Sequence, residues 1–101
     1  MATRQELQSK LEELLGSRNV YFQPPASKQM QYPAIKFKKS TINSEYANNK
    51  KYLNKTRYEV IVIDRVPDNP VINKILALPY SSFDRSYPAD NLNHDVITLY
   101  Y

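Results

Sequence analysis

Any chemistry in this chain would come from a short set of residues. His94 is the only histidine, and a histidine beside a carboxylate is a common start for general-base catalysis, because the carboxylate orients the imidazole and stabilises its protonated form. Asp95, its neighbour, is badly placed for that. Adjacent side chains of an extended strand point to opposite faces, so the two do not readily form a dyad, and a structural role is expected for His94. Asp64, Asp68, Asp84, Asp90 and Asp95 are enough carboxylates for a metal-dependent nuclease, but their spacing matches no ligand pattern, and Asp68 sits where a helix cap is needed. One glycine, Gly16, in 101 residues excludes a glycine-rich phosphate loop. The lack of cysteine removes thiol nucleophiles, thiolate metal sites and disulfides together. No catalytic residue, metal site or cofactor is expected.

Charge is the stronger signal. Residues 1–27 hold three basic and three acidic groups, residues 28–57 eight and one, and residues 58–101 three and six. Within the basic middle, Lys36, Lys38, Lys39, Lys50, Lys51, Lys55 and Arg57 are interleaved with Phe37, Tyr46 and Tyr52. A single-stranded nucleic-acid groove uses this composition, and so does a solvated lysine-rich loop. Segregated charge also suits head-to-tail contacts in which a basic arm meets a neighbour's acidic face. The sequence starts Met1-Ala2-Thr3-Arg4 without an apolar leader, and the longest aliphatic run, Val60-Ile61-Val62-Ile63, is far too short to span a bilayer. Neither secretion nor membrane insertion is expected.

The elements that must position these groups follow from periodicity. Thr3 and Glu6 have capping-box spacing. Leu7, Leu11, Leu14 and Leu15 then form a helical stripe, and Gly16 falls at the C-cap. A strand is expected at Asn19-Val20-Tyr21-Phe22-Gln23, stopped by Pro24-Pro25. Another follows Pro33, with Ile35 and Phe37 on one face and Lys36 and Lys38 on the other. Residues 39–55 lack an apolar period and read as a basic loop or arm. Arg57 to Asp64 is the clearest strand, with Tyr58, Val60 and Val62 opposite Glu59, Ile61 and Ile63. A helix starts after Asp68 or Asn69, with Pro70 in its first turn and Val71, Ile72, Ile75 and Leu76 as its apolar stripe, and Leu78-Pro79 ends it. Ser82 to Tyr87 and His94 to Tyr101 are the last strands, joined by a turn at Pro88-Ala89-Asp90-Asn91.

This order, αβββαββ, predicts one α+β domain over residues 1–101, built on a mainly antiparallel sheet with two short helices. Placing both helices on one face leaves Ile61, Ile63, Ile97, Leu99 and Tyr101 on the other, an apolar surface suited to contact unless the arm covers it. Helices on opposite faces would cover both. Nine tyrosines also favour an interface.

Several stretches carry a family likeness. They are Leu14-Leu15-Gly16-Ser17-Arg18-Asn19-Val20-Tyr21-Phe22-Gln23-Pro24-Pro25, Met30-Gln31-Tyr32-Pro33-Ala34-Ile35, Tyr58-Glu59-Val60-Ile61-Val62-Ile63-Asp64, Asp90-Asn91-Leu92-Asn93-His94-Asp95-Val96 and Leu99-Tyr100-Tyr101. In number and order they resemble the tail-completion or tail-terminator proteins of tailed bacteriophages, small minor tail or neck components. The resemblance implies a non-enzymatic virion protein that forms a ring, usually six-fold, at the head-proximal end of the tail tube. It would end tube polymerisation and meet the head connector, with DNA passing through the lumen without specific binding. It would be found in the virion tail or neck, and in host cytoplasm during assembly. A head–tail adaptor is the near neighbour, and a small basic nucleic-acid-binding module is the alternative from the charge. Candidate subunit or partner contacts are Lys36, Lys38, Lys39, Lys50, Lys51, Tyr52, Lys55, Ile61, Ile63, Tyr100 and Tyr101.

Overall fold

The alternation in Arg57–Asp64 (β3) makes this segment the middle of the fold, because both of its faces carry side chains that avoid water. In a computed structural model, which describes residues 4–25, 29–40 and 56–101, the element order is α1 (Arg4–Leu15), β1 (Val20–Phe22), β2 (Ala34–Lys39), β3, α2 (Val71–Leu76), β4 (Ser81–Ala89) and β5 (Leu92–Tyr100). The fold is α+β. Its five strands form one mixed sheet in the order β1-β2-β3-β5-β4, with only the β1–β2 pair parallel.

Both helices lie on one face. Leu7 and Leu11 of α1 and Val71 and Ile75 of α2 pack on Val20, Ile35, Phe37, Tyr58, Val60, Val62, Ile97 and Leu99. Phe37 lies between Phe22, 5.0 Å away centroid to centroid, and Tyr58, 5.9 Å away, forming a ring ladder across three strands. Full burial of a side chain such as Phe37 stabilises by about 1.5–3 kcal/mol relative to exposure.

The opposite face departs from expectation. Ile97 and Leu99 pair with Val60 and Tyr58, so they belong to the helix-covered core, and Tyr101 packs against the same core. Val96 is the β5 residue that joins Ile61 and Ile63 on the far face. Met30, Tyr32 and Leu92 cover these three and form a second, smaller core. Among the described residues, the apolar face that two helices on one side could have left bare is therefore covered.

Local signals explain the element ends. Gly16 has φ +83° and donates its N–H to Glu12 O at 2.9 Å, a left-handed cap that a side chain would strain. Asn69, rather than Asp68, caps α2: its Oδ1 accepts the Val71 N–H at 2.8 Å. Pro70, at the helix boundary, has no side-chain group to do so. The last hairpin is longer than predicted. Only Asp90 and Asn91, with φ 54° and 63°, form its turn, and Pro88 and Ala89 belong to β4. Two left-handed residues in a two-residue loop give a turn whose twist matches the flanking strands. The Thr3 half of the predicted capping box lies outside the described residues, as do Lys50, Lys51, Tyr52 and Lys55.

Candidate functional site

Three regions of this fold carry side chains that the core does not use. The first is β4. Residues 82–88 are all exposed, although β4 pairs with β5 along its length. Phe83 is 47% exposed and Tyr87 37%, while Tyr80, just before the strand, is 55% exposed. Tyr80 also has φ +61°, in the left-handed region that bulky residues rarely occupy. Strand pairing is blunted by a register shift between Phe83 and Arg85 and by Pro88, which has no N–H to offer. What β4 offers a partner is side-chain surface more than an open ladder.

The second region is the sheet end where β2 finishes and β3 begins. Lys38, Lys39 and Arg57 gather there, and Arg4, at the start of α1, lies 4.5 Å over the Phe22 ring. Lys39 and Tyr58 are cross-strand partners on the helix-covered face. Together Arg4, Phe22, Gln23, Lys39, Thr56 and Tyr58 line an open pocket of about 460 Å³. Tyr58 is only 3% exposed. Burial pushes its phenol above the usual tyrosine range, and the nearby Arg4 charge partly offsets this. On the other face, Lys38 Nζ pairs with Glu59 Oε1 at 3.5 Å, and Lys36 and Lys38 flank a second pocket of about 330 Å³. Arg57 Nε is buried without a hydrogen-bond partner among the described residues. Ser40 N–H donates to Arg57 O, and Thr56 exchanges backbone bonds with Tyr101, which fixes Ser40 and Thr56 at this end.

The third region is the opposite end, where β3 finishes and β5 begins. Asp64, Asp68, Asp90 and Asp95 all lie toward this end, and of these Asp68 and Asp95 share a pocket. Asp64 is engaged internally, accepting the Arg65 N–H at 2.6 Å and the Asn69 Nδ2 amide at 2.6 Å. Asp68 and Asp95 line a pocket of about 370 Å³ with Tyr87, Pro88 and Asn93. The Asp95 carboxyl is held above the usual aspartate range, first by partial burial and then by the Asp68 charge.

His94 and Asp95 fall on opposite faces of β5, as the strand reading expects. The His94 ring stacks on Tyr87 with centroids 4.9 Å apart and planes 12° from parallel, and its Nδ1 lies 3.3 Å from Leu92 O. Among the described residues, no group of three or more His, Asp or Glu side chains is placed to hold a metal ion.

Of the sequence candidates, Lys38 and Lys39 lie at the basic end of the sheet on opposite faces, Lys39 belonging to β2 rather than to the expected arm, and Lys36, opposite Ile61, lies mid-strand on the Lys38 face. Tyr100 is half-buried at that end, and Tyr101 closes the core there. Ile61 and Ile63 are buried beneath Met30 and Tyr32, so the single chain does not offer them to a partner. Sequence reasoning missed Arg4, Tyr58 and Tyr80. The inward face of Tyr58 was legible, but its meeting with Arg4 depends on helix docking. No protein-family profile, curated protein or solved structure matches this chain.

Proposed function

We propose that this chain is a structural assembly protein that works through repeated contact with copies of itself and with neighbouring virion parts. Its resemblance to phage tail-completion proteins gives the setting: a ring, usually of six, at the head-proximal end of a tail tube, ending tube growth and joining the head connector. The observation that carries the reading is β4, a nine-residue strand with residues 82–88 exposed on both faces and aromatic side chains turned to solvent. Such a strand adds little to its own core, and exposed aromatic groups are typical of contact surfaces. A ring closed by rotation also needs two different patches on each subunit, and the sheet ends differ in charge.

In this reading the segment carrying Lys50, Lys51 and Lys55 meets acidic groups on an adjacent subunit. A stable contact of about 1,200–2,000 Å² needs more than one charged loop, and β4 is the surface that would extend it. The test is native mass spectrometry and negative-stain electron microscopy of the purified protein, with and without tail tubes. Ring-sized species are expected, and they should weaken when the three lysines are reversed in charge. A protein that stays monomeric in every condition and joins no tube or connector would end this reading.

The alternative of a nucleic-acid-binding module draws on the gathering of Arg4, Lys38, Lys39 and Arg57 at one end. It requires DNA retention at physiological salt by a protein that is otherwise monomeric.

A further inference from the structure

The two ends of the sheet are matched in chemistry as well as opposite in charge. At the basic end, the pocket of about 460 Å³ has two cations at its rim, Arg4 and Lys39, and the nearly fully buried Tyr58 in its wall. The Tyr58 hydroxyl makes no hydrogen bond with another described residue and is not sealed from solvent, so it can donate into the pocket. Phe22 covers one face of the Arg4 guanidinium, removing water there while its N–H edge stays free to donate. A recess offering a guanidinium, an ammonium and an O–H donor is suited to a carboxylate.

At the acidic end, Asp68 is exposed and Asp95 is half-buried beside it, with no cation paired to either among the described residues. Tyr87, 37% accessible, lines this corner with Pro67 and Pro88 and supplies apolar surface around the charges. Charged groups bordered by exposed apolar side chains are common in protein contacts.

We infer that these ends are the two halves of one head-to-tail contact, in which the Arg4–Lys39–Tyr58 pocket of one copy receives the Asp68–Asp95 corner of the next. The inference rests on the assembly reading and deepens it by naming the surfaces. A second copy is the occupant the charges favour, because its Asp68–Asp95 corner supplies two carboxylates for the two cations of the pocket, whereas a phosphate backbone is followed along an extended groove. The two surfaces lie at opposite ends of the sheet, so the contact is heterologous and leaves one free half at each end of any open array.

Two variants and their mixture test this by sedimentation velocity, with circular dichroism confirming that each is folded. Arg4→Gln with Lys39→Gln disables the pocket, and Asp68→Asn with Asp95→Asn disables the corner. Wild type should self-associate, and each variant should do so on the order of ten-fold more weakly or worse. An equimolar mixture contains one intact half from each variant, so it should form a 1:1 dimer and grow no further. Tyr58→Phe, which keeps the ring in the core, should weaken association several-fold with unchanged stability. Variants that assemble like wild type, or a mixture that stays monomeric, overturn this contact and leave the assembly reading standing. A monomeric wild type overturns both. A wild type that stays monomeric but binds duplex DNA through Arg4 and Lys39 at about 150 mM salt assigns the pocket to nucleic acid and also overturns the inference.

Discussion

Asn69 links the end of β3 to the start of α2, and its removal separates two contributions that can be measured. Its Oδ1 accepts the Val71 N–H at 2.8 Å, satisfying a donor that the first turn of α2 would otherwise leave open, and its Nδ2 donates to Asp64 Oδ2 at 2.6 Å. Loss of a side-chain cap costs about 1 kcal/mol. A hydrogen bond to a charged group contributes about 1.5–3 kcal/mol, and the lower part of that range applies because Asp64 and Asn69 are only half-buried. Asn69→Ala should therefore destabilise by about 2–3 kcal/mol. Asn69→Ser, which can still cap but cannot reach Asp64, should cost about 1–2 kcal/mol. Urea unfolding followed by circular dichroism reads both, with a midpoint shift of about 1 M or more for alanine at an unchanged slope. An alanine variant within about 0.5 kcal/mol of wild type would show that solvent replaces both bonds and that the amide does not hold the strand end to the helix. Equal losses for serine and alanine would assign the whole effect to Asp64.

Two further outcomes follow from single residues. Tyr80→Gly should raise monomer stability by roughly 0.5–1 kcal/mol, because glycine relieves a left-handed strain of about 1–2 kcal/mol while adding unfolded-state entropy. The same change should weaken self-association if the exposed ring belongs to the contact surface. A thermal melt showing destabilisation would mean that the ring's own contacts outweigh the strain. Asp95 has a folded-state pKa raised above its ordinary value, so its protonated form favours the fold. Its stability contribution is complete below the unfolded value and is lost as pH rises through the raised one. Asp95→Asn should therefore be more stable than wild type at neutral pH, with the difference shrinking as pH falls into the acidic range. Urea midpoints across pH check this, and a gap that widens on acidification contradicts it.

Local patterning determined much of this protein. The period-two alternation in β2 and β3, the leucine stripe of α1, Gly16 after that stripe, and the α+β order of elements are all written over short windows, where backbone sterics and side-chain direction decide the outcome. The charge segregation was equally legible. The far ends of β4 and β5 were not, because Pro88 suggests a turn until its place on an edge strand, where no N–H is needed, is known.

Only the tertiary structure decided which apolar residues share a face. Val96 and Ile97 are both suited to burial, so β5 alone does not say which one joins Ile61; the register does, by setting Val60 opposite Ile97. Met30 and Tyr32 then cover what would have been a bare patch. The acidic corner and the cationic pocket arise in the same way. Asp68 and Asp95 are far apart in the chain, as are Arg4, Lys39 and Tyr58, and each group meets because antiparallel pairing returns distant segments to the same end of the sheet. Sequence supplied the charges, but their division between two ends is a property of strand order and register.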